Sequence, residues 1–187
     1  MSQKIMFAFG ILLVALMVLS CNNSNNTIVS PSVPVELISN SSFESNDVFT
    51  LQGWSAWRRD VIDSALDAPQ SGGKYSVSIE DMGIPIFGYI TTTVAAPSGV
   101  HIYKFSVWTK SNFAFSAGSS AELLLKSVDT TFTVNVFQVI DTVWTFNSKT
   151  DTLNATSNDS LVIRLRGGTS NFIRRTMFNL VKLEVIK

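Results

Sequence analysis

The chain has 187 residues, with 14 Lys and Arg balanced by 14 Asp and Glu, one His and one Cys. Neutrality, with no Lys/Arg run longer than a pair, argues against a nucleic-acid binder, which carries a basic stripe. The lone Cys excludes an intrachain disulfide, and with a single His it leaves no His-Cys metal site. Charged residues make up 15% and aromatics 11%, and the body is rich in Val, Thr, Ile and Ser, a mix that suits half-buried strands better than helices.

The first segment is read as an export signal. Lys4 precedes "IMFAFGILLVALMVL" (residues 5–19), an uncharged apolar run. It is short for a membrane span of about 20 residues and suits a signal-peptide h-region. It ends in "VLSC" (residues 18–21), which resembles the lipobox of bacterial lipoproteins, with Val18 where Leu is commonest. The resemblance implies a lipoprotein signal peptide over 1–20 and lipidation of Cys21. The alternatives are an ordinary signal peptide with a leftover Cys, or an uncleaved anchor. One acyl chain holds weakly and stable attachment needs more than one signal; lipoproteins of this kind carry several chains. Asn22 is not the Asp that favours inner-membrane retention in such proteins. The expectation is therefore a lipid-anchored protein of the bacterial cell envelope, at the outer membrane and the cell surface.

"NNSNNTIVSPSVP" (residues 22–34) has too little apolar surface to fold alone and reads, with the lipidated Cys21, as a flexible tether. Residues 35–187 are one domain's worth of chain. "KYSVSIE" alternates Tyr75, Val77 and Ile79 against Ser76, Ser78 and Glu80. "HIYKFSVWTK" sets Tyr103, Phe105 and Val107 on one face. "DSLVIRLRGG" points Leu161, Ile163 and Leu165 inward and Arg164 and Arg166 outward. "AELLLKSV", "FTVNVFQV", "VWTFNSKTDTL" and "MFNLVKLEVI" are further strand segments, with turn clusters such as "PQSGG", "APSG" and "GGTS" between them. The spacing predicts an all-β fold, an antiparallel β-sandwich of roughly eight to ten strands.

"LISNSSFE" followed by "GW", then "SGGKYSVSI", "GYITTTVAAPSGVHIYKFSVWTK", "VWTFNSKTDTL", "LVIRLRGG" and "MFNLVKLEV", resemble in order the strands of jelly-roll carbohydrate-binding modules of the galactose-binding-like group. Ser41 stands where that group's first turn usually has Gly. The resemblance makes Phe43 a core plug and Trp54 a cap on the core. It also implies a structural Ca²⁺ held by Glu44 and, from the last strand, Asn179, which replaces the usual Asp. Ca²⁺ takes six to eight hard oxygens, so the lost charge weakens such a site. The other reading is a hydrogen-bonded pair.

Sugars are held by aromatic faces and by polar groups that take the hydroxyls. Trp108 shares parity with Lys104, Ser106 and Lys110. If its strand lies in one sheet with Arg164 and Arg166, a concave platform for a saccharide results, an acidic one included. If a bulge swaps the parity, Trp108 is core instead. Trp57, at a strand end before a loop holding Asp60, Asp63 and Asp67, is a second candidate, and Tyr89 a third. That loop either rims a site or is simply solvated. Trp144 reads as core.

An enzyme is not expected. His101 is a lone strand-edge His, and no G-x-S-x-G, P-loop or H-E-x-x-H pattern occurs. The acidic residues sit mainly in turns, with only Glu80, Glu122 and Glu184 in strand-like runs. The expected function is that of a non-catalytic envelope lipoprotein binding an oligo- or polysaccharide. The alternative is a structural or adhesive lipoprotein binding a protein partner.

Overall fold

Two strand faces of opposite character decide this fold: apolar rows of Val, Ile, Leu and Phe that must meet each other, and Ser, Thr, Lys and Arg rows that can face water. The computed structural model describes residues 33–81, 87–114, 118–168 and 174–186. The signal segment, Cys21 and most of the tether lie outside the described residues. Among those described, the strands in chain order are β1 (Val35–Glu36), β2 (Glu44–Ser45), β3 (Val48–Phe49), β4 (Ser55–Trp57), β5 (Ile62–Ala65), β6 (Ser76–Asp81), β7 (Tyr89–Ala95), β8 (Gly99–Ser111), β9 (Ser120–Lys126), β10 (Thr131–Gln138), β11 (Thr145–Ala155), β12 (Ser160–Arg166) and β13 (Arg174–Val185). A 3₁₀ turn over Arg59–Val61 is the one helical element among them.

One sheet runs β11-β8-β13-β6-β5 with β1 added beside β13; the other runs β10-β9-β12-β7-β4. All the pairings are antiparallel. From β7 onward the chain mostly alternates between sheets, and only β9 and β10 are a hairpin within one of them. This is the antiparallel sandwich expected from the alternation, with the jelly-roll form that the resemblance implied.

The core lies between the sheets. Val77, Ile79, Tyr103, Phe105, Val107, Phe178 and Leu183 come from one inner face, and Ile90, Leu123, Leu161, Ile163 and Leu165 from the other, all essentially solvent-free. Fully burying such a side chain contributes about 1.5–3 kcal/mol. Phe105 and Phe137 stack across the gap with centroids 5.4 Å apart.

The opening stretch closes one end of the sandwich. Asn46 and Asp47 both take positive φ (53° and 59°) and join β2 to β3 in a two-residue turn, a geometry that favours Asn and Asp. Phe43 is fully buried and Trp54 nearly so, with ring centroids 5.1 Å apart. The Trp54 indole N–H donates to the Asn40 carbonyl at 3.2 Å. Plug and cap thus stand as the sequence suggested.

Trp144 does not. It lies just before β11, half-buried on the outer side of the larger sheet, where its indole N–H donates to Asp67 at 2.8 Å. The aromatic needed a partner for its N–H, and a carboxylate outside the core supplies it. The strand count also exceeds expectation, because β1 to β4 are two or three residues long and too short to show alternation.

Candidate functional site

On the outer face of the five-stranded sheet, one row of register partners crosses every strand: Trp57, Tyr89, Arg166, Ser120 and Gln138. A second row beside it reads Ser55, Thr91, Arg164, Glu122 and Val136. Strands lie about 4.8 Å apart, so each row is roughly 19 Å long. The inward neighbours Ile90, Ile163 and Leu165 are fully buried, which forces Tyr89, Arg164 and Arg166 outward.

The aromatic end of the row is built from three rings. Trp57 stacks on Tyr89 at 5.2 Å between centroids and 14° between planes. Phe87, two residues before Tyr89 and of the same parity, approaches Trp57 at 6.4 Å. Trp57 keeps 44% of its surface in solvent, much for a Trp. The Arg166 guanidinium lies over the Phe87 ring, with Cζ 3.5 Å from its centroid.

The two arginines differ. Arg164 is paired with Glu122, its Nε donating to Oε2 at 2.8 Å and its Nη2 to the same oxygen. The other Glu122 oxygen accepts from the Ser120 hydroxyl at 2.6 Å. Glu122 is 6% exposed, and pairing makes its burial tolerable. Arg166 has no carboxylate partner among the described residues, and its Nε is buried without an acceptor.

Two glycines hold this end of the sheet in place. A Cβ on Gly167 would stand 2.6 Å from Ile79 Cγ2 of the other sheet, and one on Gly88 would collide with Val61. The Gly167 N–H donates to the Gly88 carbonyl at 3.0 Å. Without side chains there, the sheets close up directly behind Tyr89 and Arg166. After Trp57 the chain leaves for the other sheet through Arg58, at φ 58°. Asp60 grips the Arg58 guanidinium at 3.0 and 2.7 Å.

The structure thus brings Trp57, Tyr89, Arg164 and Arg166 together, but not with Trp108 and Lys104. β8 pairs with β11 and β13, whereas β12 pairs with β7 and β9, so the expected single Trp108/Lys104/Arg face is corrected. The physical reason is that successive strands cross between sheets, so like parity on β8 and β12 points to opposite outer surfaces. Trp108 does project away from the core; it is half-buried against Phe146 at 5.3 Å. Lys104 lies 3.5 Å from Glu184.

The loop carboxylates do not rim the row as a group. Asp60 holds Arg58, and Asp67 takes Lys110 at 2.7 Å on the other sheet's outer side. Burial would raise the Asp67 carboxyl, but the Lys110 ammonium and the Trp144 indole outweigh it and hold it below the usual value. Phe87 and Glu122 belong to the face; Phe87 was not singled out from sequence, and Glu122 only as an acidic residue in a strand-like run. Phe87 carried a readable signal, an aromatic two residues from Tyr89; Glu122 becomes visible only once register is known.

Glu44 and Asn179 meet at the loop before β6. Glu44 Oε1 accepts from the backbone N–H groups of Lys74, at 2.5 Å, and Tyr75. The buried Asn179 amide nitrogen donates to the carbonyls of Gly72, at 3.0 Å, and Tyr75, at 2.5 Å. Among the described residues no three His, Cys, Asp or Glu side chains gather to hold a metal. Turning the amide over would set Asn179 Oδ1, buried and unpartnered, against both carbonyls, an arrangement only a cation could bridge. As arranged, N–H donors take Glu44 Oε1 and the two carbonyls, and one carboxylate supplies the only charge. The arrangement is the hydrogen-bonded one, and a single carboxylate offers little charge to Ca²⁺.

The domain has a jelly-roll sandwich fold. Solved structures that share it include carbohydrate-binding modules. One is a family 61 module in complex with β-1,4-galactotriose, 14% identical, covering 80% of this chain and 97% of its own at a TM-score of 0.54. A second is a family 22 xylan-binding domain of a Paenibacillus barcinonensis protein, 19% identical, 83% and 97% covered, TM-score 0.56. A third is a family 16 module, 18% identical, 79% and 98% covered, TM-score 0.55. At these identities the likeness is one of fold. No family model matches the chain, and no curated protein matches it by sequence.

Proposed function

We propose that this protein is a non-catalytic, lipid-anchored protein of the bacterial cell envelope that captures an oligo- or polysaccharide on the outer face of its five-stranded sheet. The observation that carries the reading is the Trp57–Tyr89 ring stack at 5.2 Å, continued by Arg166 and Gln138 in one cross-strand row. An exposed indole face suits the C–H side of a pyranose, and the guanidinium and carboxamide suit its hydroxyls. Neighbours in fold that bind galactotriose or xylan support the same use of the sandwich. The signal segment and Cys21 support anchoring, and Asn22 supports the outer membrane.

Binding of this kind is weak, with millimolar to micromolar Kd, about −4 to −8 kcal/mol. A glycan array probed with the protein and with Trp57→Ala tests the reading. Glycan signals that vanish in the variant support it, and an array without signal contradicts it.

A second reading, adhesion to a protein partner, rests on the opposite sheet. There Phe146 is half-exposed beside Trp108. Pull-down of one partner, lost in Phe146→Ser and unaffected by Trp57→Ala, would favour it.

A further inference from the structure

We infer that Arg166 selects for saccharides carrying a carboxylate, the uronic acids. This deepens the saccharide reading and rests on it. The outer face of the five-stranded sheet holds two guanidinium groups and one buried carboxylate in adjacent register positions. Glu122 neutralises Arg164. Arg166 is left as a cation without a counter-charge among the described residues, one strand away from Tyr89 and two from Trp57.

Its geometry is that of a prepared receptor. The guanidinium lies on Phe87 at 3.5 Å, which fixes its plane and removes water from one of its faces. Its Nε is buried with no acceptor, and the donors open to a ligand oxygen are those of the two Nη groups. A planar fork of N–H donors matches a planar carboxylate with two parallel hydrogen bonds, and Arg is the side chain suited to that contact. A sugar held at the Trp57–Tyr89 end of the row therefore has a carboxylate position beside it on the next strand. Arg164 is not left as a free charge, since Glu122 takes its Nε and Nη2 donors and neutralises it.

Affinity electrophoresis of the full chain tests this. The gels contain polygalacturonate, alginate, a sulfated galactan, or neutral xylan or galactan. The expected result is retardation by a uronate polymer above that by neutral and sulfated polymers, weakening as salt rises. Arg166→Gln should lose about tenfold or more in affinity for the uronate polymer, as expected for losing charged hydrogen bonds. Lys149→Gln removes the same charge from the opposite sheet and should change nothing. Arg166→Lys keeps the charge without the fork and should recover only part of the binding. A sulfated polymer held as tightly as the uronates overturns the carboxylate assignment. Equal retardation of wild type, Arg166→Gln and Lys149→Gln overturns the role of Arg166. Neutral glycan binding that needs Trp57 but not Arg166 overturns this inference and leaves saccharide capture standing, whereas no retardation in any gel overturns both.

Discussion

The indole of Trp57 and the phenol of Tyr89 lie nearly parallel, 5.2 Å between centroids, on neighbouring strands of one sheet. Their residues are direct register partners, so the stack is set by backbone pairing and not by a chance approach of two loops. A cross-strand aromatic pair adds about 0.5–1.5 kcal/mol beyond its buried area. Because Trp57 remains 44% exposed, Trp57→Ala should cost about 1–3 kcal/mol of stability by urea melt, leaving the domain folded, while lowering glycan affinity at least tenfold. A variant that unfolds early instead would make the indole a structural piece.

Glu122 and Arg164 form the charged pair nearest that stack in the second row. Removing the carboxylate leaves a half-buried cation, so Glu122→Ala should lower stability by about 2–3 kcal/mol, less than a fully buried pair because the Arg164 head group reaches water. Denaturant titration measures this. Glu122→Gln, which keeps an acceptor for Arg164, should recover about half.

Asn179 gives a prediction about calcium. With its amide nitrogen on the Gly72 and Tyr75 carbonyls, neither EDTA nor Ca²⁺ should shift the Tm of the wild type. Asn179→Asp loses both donated bonds and turns a carboxylate toward two carbonyls. It should be destabilised by about 1–3 kcal/mol without metal and regain stability when Ca²⁺ is added. A calcium-dependent Tm in the wild type would mean that the amide turns over and the oxygens take the ion.

Asp67 gives a pH dependence. Its native pKa lies below the ordinary Asp value, through Lys110 and Trp144 acting against burial. A depressed carboxyl contributes stability above the unfolded pKa, near about 3.9, and loses it as pH falls through the lower native pKa. Asp67→Asn should therefore melt below wild type at pH 6, and the gap should close on acidification below about pH 4. A gap independent of pH would show that the charge is not what matters.

Cys21 tests the anchor. Cys21→Ala should release the protein from membranes or block its processing, seen by fractionation. A Cys21→Ala protein still cleaved and membrane-bound would contradict lipidation there.

Much of the fold was legible because β6, β8 and β12 alternate, with Val77 and Ile79, then Tyr103, Phe105 and Val107, then Leu161, Ile163 and Leu165 on one face. β1 to β4 were not, since two or three residues carry no period. The site was half legible. Parity placed Arg164, Arg166 and Trp108 outward, and all three are so. What parity cannot carry is strand order: β8 and β12 read alike in sequence yet belong to different sheets, because neighbours in the chain cross the sandwich instead of pairing. That choice is made by long-range packing, such as Gly167 against Ile79. It moved the candidate platform from Trp108 to Trp57. Trp144 misled for a related reason, an aromatic that resembles core by composition but is drawn outward by the carboxylate of Asp67, 77 residues away in sequence.

The most direct test of saccharide capture on the five-stranded sheet follows the indole N–H signals of the 4 Trp residues by NMR as a glycan bound by the protein is added. The account predicts that the Trp57 signal shifts progressively with ligand while those of Trp54, Trp108 and Trp144 stay in place. A Trp108 signal that moves while Trp57 stays still would contradict it and put the binding face on the opposite sheet.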